Sequence, residues 1–418
     1  MKKTVAEKIL GKACGRDVSA GDVVVVEPDF CMSHENSSAI ITTFRTIGLG
    51  KVHRPDRLVI IFDHMVPAAT EPYAQSQKVT RAFVKEQGIP HFYDLNSSGG
   101  VCHQIMCQEG FAAPGRIIVG SDSHTCTHGA MGAFATGVGR PEMAALWATG
   151  EIWLQVPESL KITVSGAFAA GVSAKDLILT IIGDCKADGA DYMSVEFHGQ
   201  GIEDMSVSER MTLCNMGIEM GAKNAICKPD NKVLDMLAGK NKGPAPEILW
   251  ADENAVYAQC KDYDLSTIVP SVAKPHRVDA YAPVAEVAGT PIHQAFIGTC
   301  TNARLDDLRL AALLLKGKKV AVRTIVNPAS TKVLREAMEE GIIQILLDAG
   351  CTLGAPGCGP CIGVSGGVLA AGETCISTAN RNFKGRMGSK DSEIYLASPL
   401  TVAWSALHGE IRDPREGV

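Results

Sequence analysis

A chain of 418 residues is too long for a single hydrophobic core and predicts roughly two to four domains. With 46% hydrophobic and 21% charged residues and a net charge of −6, it argues against a nucleic-acid surface as its main business, while leaving room for a local basic pocket that takes an acidic small molecule. The 14 cysteines are scattered and do not form a compact disulfide framework, so they read as thiols of a reducing compartment, most of them small buried hydrophobes.

The N-terminus, MKKTVAEKILGKACG, carries two lysines but no apolar stretch of a secretory leader. Apolar runs such as Val23–Val26 and Leu58–Phe62 are strand-sized, far below the ~20 residues of a membrane span, and a cytoplasmic location is expected. Short Val/Ile runs then alternate with longer helical patterns, the mark of α/β layers with parallel strands. In chain order the patterns predict a strand at Leu58–Phe62, a helix at Gln75–Gln87, and strands at Arg116–Gly120 and Leu160–Val164. Helices follow at Ala174–Ile182 and Ser208–Met220, strands at Ala295–Ile297 and Lys318–Val326, and a helix at Thr331–Leu347. Ile268–Gly289, with three prolines and no sustained period, reads as a linker; a weaker boundary falls near Val156–Pro157, where a helix is expected to end before SLKITV. These cuts give domains 1–157, 158–282 and 283–418.

Polar residues cluster where the strands end. RLVIIF runs into Asp63 and His64, RIIVG into Ser121, Asp122, Ser123 and His124, and QAFIG into Thr299, Cys300, Thr301 and Asn302. In open α/β sheets ligands bind beyond the carboxyl ends of the strands, so these segments, joined by His103 of SGGVCHQ, point to one shared site. Histidine suits proton transfer near neutral pH, and a carboxylate partner fixes its tautomer. In SERMTLCNMGIEMG, Asn215 and Glu219 share a helix face with Thr212 and Ser208, where the carboxylate can orient a histidine. Ser206 with Glu209 forms a capping box and Gly221 a stop. The glycines of GAMGAFATGVG lack G-x-G-x-x-G spacing and read as close backbone packing. Asp122, His124 and His128 could bind zinc, but the H-E-x-x-H pattern is missing.

GAPGCGPCIG, residues 354–363, cannot be a helix, and its Cys358 and Cys361 suit a redox disulfide, half a zinc site or part of an iron–sulfur ligand set. Cys300 supplies a third thiol in the same region. Three thiolates under-ligate a four-iron cluster by one, leaving an iron that can act as a Lewis acid toward a substrate hydroxyl and carboxylate. In STANRNFKGRMGSKDS, Arg381 and Arg386 form a pair able to clamp carboxylates.

Taken together, GVCHQ, GSDSHT, CNMGIE, IGTCTN, GCGPCIG and NRNFKGR resemble the aconitase superfamily, in order and over almost the whole chain, and are most similar to its 3-isopropylmalate dehydratase and homoaconitase large-subunit branch. The resemblance implies an α/β fold of three α/β/α domains around one [4Fe-4S] cluster, held by Cys300, Cys358 and Cys361 with one open iron. It implies Asp63, His64, His103, Asp122, His124 and Glu219 as catalytic residues. His34, Ser123, Asn215, Asn380, Arg381 and Arg386 fall to substrate binding. It also implies a separate small subunit carrying the swivelling domain and the catalytic base, because the sequence ends soon after NRNFKGR. The expected activity is reversible dehydration of a 2-hydroxy di- or tricarboxylic acid, foremost isopropylmalate isomerisation in leucine synthesis. Homoaconitate-type and dimethylmalate- or citramalate-type acids are alternatives, and an aconitase-like RNA-binding regulator is the alternative from another class. One departure stands in DFCMSHENSS: His34 is followed by Glu35 where the family commonly has Asp, one methylene longer and so displaced.

Overall fold

Branched apolar runs such as Leu58–Ile61 and Ile117–Gly120 are buried at every position, as in parallel sheets covered on both faces, and further short strands join them. In the computed structural model, which describes residues 2–96, 98–240 and 242–418, they build three sheets and one ribbon. The first sheet is all parallel, in the order His91–Tyr93, Leu58–Ile61, Phe30–Ser33, Ile117–Gly120, Phe134–Gly137. The second is also parallel, in the order Asn224–Cys227, Ser194–His198, Ser159–Ser165, Gln259–Asp264. The third has seven strands: Thr352–Leu353, Arg323–Val326, Gln294–Ile297, Thr374–Ser377 and Glu393–Ala397 run parallel, and Ser271–Ala273 and Tyr281–Pro283 add antiparallel at one edge. Val23–Val26 and Ile152–Gln155 pair as an antiparallel ribbon.

Successive side chains of a strand point to opposite faces, and the cores follow that alternation. In the first sheet Met32, Val59, Ile61, Ile118 and Ala135 face a central core, while Cys31, Leu58, Ile60, Val119 and Phe134 face an outer one under the flanking helices. In the third sheet Phe296, Cys375 and Ile394 face the central core, and Ala295, Ile297 and Ile376 face a separate outer one. The central core also takes Leu160, Ile162, Val195 and Phe197 of the second sheet, so one apolar interior joins all three.

Several elements differ from their sequence-based expectation. The strand expected at Lys318–Val326 begins only at Arg323, because the backbone of Val320 and Ala321 bonds to Ala349 and Ala406 instead of a neighbouring strand. The expected helix Thr331–Leu347 is two, Thr331–Glu339 and Ile342–Asp348, broken at Gly341. Ser208–Met220 is an α-helix only over Val207–Met216, followed by a 3₁₀ turn at Gly217–Met220; the Ser206–Glu209 capping box and the left-handed stop at Gly221 are both present. Before Val156–Pro157 the chain is the strand Ile152–Gln155, not a helix end. The Ile268–Gly289 segment read as a linker is woven into the third sheet, where Val272 and Ala273 pair with Ala397 and Leu396. The glycine-rich run packs as expected at Gly129, where an added Cβ would lie 1.7 Å from the carbonyl oxygen of Ala225.

Candidate active site

The carboxyl ends of strands from the first and third sheets open onto one cavity of about 440 Å³. Its wall includes His34, Asp63, His64, His103, Asp122 and His124 from the first sheet's loops, and Cys300, Cys358, Cys361, Asn380, Arg381 and Arg386 from the third's. Ser123, Asn215 and Glu219 stand behind that wall and act on it through neighbours.

Asp63 and His64 follow the strand Leu58–Ile61 directly. Their side chains meet despite being sequence neighbours, with Asp63 Oδ1 2.5 Å from His64 Nδ1. The turn that allows this is held by Glu35, whose carboxylate accepts the backbone N–H groups of Asp63 (3.2 Å), His64 (3.1 Å) and Met65 (2.9 Å). Glu35 does not line the cavity but anchors the loop that does. Asp63 Oδ2 accepts the N–H of Cys102 at 2.7 Å, and the Asp63 carbonyl accepts the N–H of Cys358 at 2.8 Å, tying the cysteine loop to the first sheet. His34 stacks on His64 with ring centroids 3.9 Å apart.

Asp122 gathers three histidines. Its Oδ1 lies 2.8 Å from His103 Nε2 and accepts the backbone N–H of His124 at 2.8 Å, and its Oδ2 lies 3.6 Å from His64 Nε2. Burial alone would push its carboxyl up, but the hydrogen bonds from His103, His124 and His64 outweigh burial and hold it well below the usual carboxylate range. Burial likewise works against the charged form of His64; the charge of Asp63, then Cys358 when ionised, then the bond to Asp122 overcome it and raise His64 well above the ordinary histidine value. His124 Nε2 lies 2.8 Å from Glu219 Oε1, which also accepts Arg381 Nε at 2.8 Å, so one carboxylate fixes both a histidine and an arginine. Asn215, fully buried, donates to Thr127 Oγ1 at 2.8 Å and accepts from Thr301 Oγ1 and from Asn380 Nδ2.

Asn380 Nδ2 also points at Cys300 Sγ, 3.3 Å away, and an Arg386 guanidinium nitrogen lies 3.5 Å from Cys361 Sγ. Burial, with Cys361 and Asp122 adding to it, pushes the Cys300 thiol up to about 12, and burial holds Cys358 well above the ordinary thiol value. Two buried polar atoms on the wall, Asn380 Oδ1 and Arg386 Nε, have no protein partner and remain available to a ligand. Gly357, at φ 154°, brings the backbone so close to Asp63 that an added Cβ would sit 2.8 Å from its carbonyl oxygen.

The thiols discriminate between kinds of metal centre. Two sulfurs on one zinc ion, each at about 2.3 Å, lie at most ~4.6 Å apart. Among the described residues, the group whose ligand atoms all fall within 4.8 Å of one another is His34, Glu35, Asp63 and His64, not the three cysteines. The three cysteines do not form such a single-ion group among the described residues. The quartet's carboxylates are already engaged by His64 and by the backbone of residues 63–65 and 102. Nor do Asp122, His124 and His128 converge as a zinc triad: His128 bonds to His103 at 3.3 Å, and burial, then the charge of His103, hold it well below the ordinary histidine value.

Residues that sequence reasoning missed also line the cavity: Met65, Val101, Val138, Arg140 and Ile362. Val138 and Arg140 follow the strand Phe134–Gly137, whose FATG run is too short and too lightly apolar to announce itself. Arg140 is exposed at the cavity wall.

Three sheets on a shared core bring histidine–carboxylate pairs from strand ends and three thiols into one cavity, a donor set suited to acid–base chemistry beside a thiolate-bound centre. The sequence pattern of the aconitase family (aconitate hydratase) matches residues 7–409, and the chain belongs to that family. It is 48% identical over 418 residues to "3-isopropylmalate dehydratase large subunit 1" of Methanopyrus kandleri, covering 99% of both chains. It is 53% identical over 395 residues to "Probable methanogen homoaconitase large subunit" of Methanosarcina mazei, covering 94% of this chain and all of that one. The crystal structure of Thermococcus kodakaraensis aconitase X in its holo-form shares the fold, with a TM-score of 0.51 at 13% identity over 90% of this chain and 89% of that one. Family membership implies an iron–sulfur centre, and the cavity's buried thiols fit one. Among the described residues no helix is long and apolar enough to cross a membrane.

Proposed function

We propose that this chain is the cluster-bearing large subunit of a dehydratase that isomerises 2-isopropylmalate to 3-isopropylmalate. The observation that carries the reading is the single cavity uniting three thiols, two arginines beside them and three carboxylate-supported histidines. Cys300, Cys358 and Cys361 would hold a [4Fe-4S] cluster with one iron free of protein ligands. When bound, that cluster supplies Lewis-acid chemistry toward a substrate hydroxyl and carboxylate.

The chain's own residues supply the rest. His64, held above the ordinary histidine value chiefly by the charge of Asp63, is placed to give its proton to the departing hydroxyl. His103 and His124 are held by Asp122 and Glu219 in fixed orientations facing the same space. Arg381 and Arg386 clamp substrate carboxylates, with Asn380 as a polar contact, Ser123 behind His124, and His34 stacked on His64. The base that takes the proton beside the carboxylate comes from a separate small subunit, in keeping with the "large subunit" names of the relatives.

A second reading, homoaconitase, is favoured by Arg140, a third arginine on the cavity wall that suits a third carboxylate. The test is turnover of 2-isopropylmalate and of homoaconitate by the anaerobically purified chain with and without candidate small subunits. Isopropylmalate turnover that requires the second subunit supports the first reading. Turnover of neither acid with any partner contradicts both.

A further inference from the structure

One fully buried ammonium near the cavity has no part in this scheme. Lys175 lies in the first turn of the helix Ala174–Cys185, and its Nζ donates to the carbonyl oxygens of Thr378 at 2.9 Å and Ala379 at 2.7 Å. Among the described residues no carboxylate forms an ion pair with it. That placement is unfavourable by itself: the interior penalises an unpaired charge, and the first turn of a helix is the positive end of its dipole. Burial pushes its pKa down to about 7 against the opposing pull of Asp307, Cys300, Asp176 and Cys361. Asp307 is already committed to Asn302 and the backbone of Arg304, and Asp176 to the backbone of Ser173 and Ser271. The two remaining groups are thiols of the proposed ligand set. The carbonyls that Lys175 grips lead straight into Asn380, whose amide reaches Cys300 Sγ, and Arg381, which pairs with Glu219.

We propose that Lys175 is the buried counter-cation of the cluster thiolates, a positioning residue that also pins the turn 378–381 against Cys300. The inference rests on the cluster assignment made above. Thiolates, not thiols, ligate metal, so a loaded centre brings uncompensated negative charge into a low-dielectric interior. A fixed cation nearby offsets that charge and favours the reduced cluster, whose potential follows net charge and hydrogen bonding at the sulfurs. The helix of the second sheet thereby reaches the turn that carries Asn380 and Arg381 from behind the cavity wall.

The test is reductive titration with dithionite, followed by EPR, of the anaerobically purified, cluster-loaded chain and its Lys175→Met and Lys175→Arg variants. Lys175→Met is expected to lower the reduced-to-oxidised ratio at a fixed potential about tenfold or more, a shift of ~59 mV for one electron, while Lys175→Arg stays near the native value. A fully loaded Lys175→Met with an unchanged potential overturns the inference. If Lys175→Met is folded by circular dichroism yet holds no cluster, loading in Lys175→Arg supports the charge role and failure in both overturns it. A native chain without iron and sulfide overturns the cluster assignment itself, which distinguishes that failure from this one.

Discussion

Glu35 gives the sharpest stability test of the site's architecture. Its fully buried carboxylate is the acceptor for three consecutive backbone N–H groups, those of Asp63, His64 and Met65, and among the described residues these donors have no other partner. A hydrogen bond to a charged group contributes about 1.5–3 kcal/mol, and each buried donor left unsatisfied costs about 1–3 kcal/mol. Glu35→Ala orphans three donors, so local opening of residues 63–65 should become easier by about 3–9 kcal/mol. Glu35→Gln keeps one acceptor oxygen but turns an NH₂ toward an N–H, for a loss of about 2–3 kcal/mol. Hydrogen exchange at the three amides is the right assay, because a chain with several cores need not melt in one step. Protection should fall by about a hundredfold or more in the Ala variant, with the central strands unaffected. Exchange within about threefold of native in both variants would refute the reasoning.

Glu219→Gln uncouples His124 from Arg381, and kcat/KM of the reconstituted enzyme should fall about 10²–10⁴-fold with cluster content unchanged; a loss under threefold would contradict the role. Asp122→Asn should change the pH dependence of stability. The depressed carboxyl of Asp122 contributes stability that is present above pH 3.8 and lost as pH falls through its folded value. The raised His64 contributes stability that is present below pH 6.5 and lost as pH rises through its own. The variant's deficit in thermal melting of the cluster-free chain should therefore be largest between pH 3.8 and 6.5, and a deficit constant with pH would argue against it. If Arg140 reads a third carboxylate, Arg140→Ala should lower kcat/KM for homoaconitate about 10–100-fold relative to isopropylmalate, and an unchanged ratio removes that reading.

What could be read from the sequence was chemistry at strand ends. Asp63, His64, Asp122 and His124 follow apolar runs long enough to mark a strand, and Cys358 and Cys361 stand in a loop whose prolines and glycines rule out a helix. Phe30–Ser33 and Phe134–Gly137 were illegible because FCMS and FATG lack the branched apolar run that marks LVII and IIVG, and with them went the anchoring role of Glu35 and the presence of Arg140. Lys175 could not be singled out, since nothing local distinguishes a lysine in a helix's first turn from a solvated one; only the packing of that helix against residues 378–379 does. The extra edge strands at Ser271–Ala273 and Tyr281–Pro283 are likewise set by tertiary pairing, whereas the break at Gly341 is local, a glycine in the left-handed region inside a continuous helical pattern.

The central claim is a cluster held by three cysteines with one iron left open. Iron and acid-labile sulfide analysis of anaerobically purified protein, with EPR after mild oxidation, tests it most directly. The account expects about four irons and four sulfides per chain, conversion to a three-iron signal as the open iron leaves, and loss of both in Cys358→Ser. Zinc without sulfide, or a Cys358→Ser variant with unchanged iron and sulfide, would contradict it.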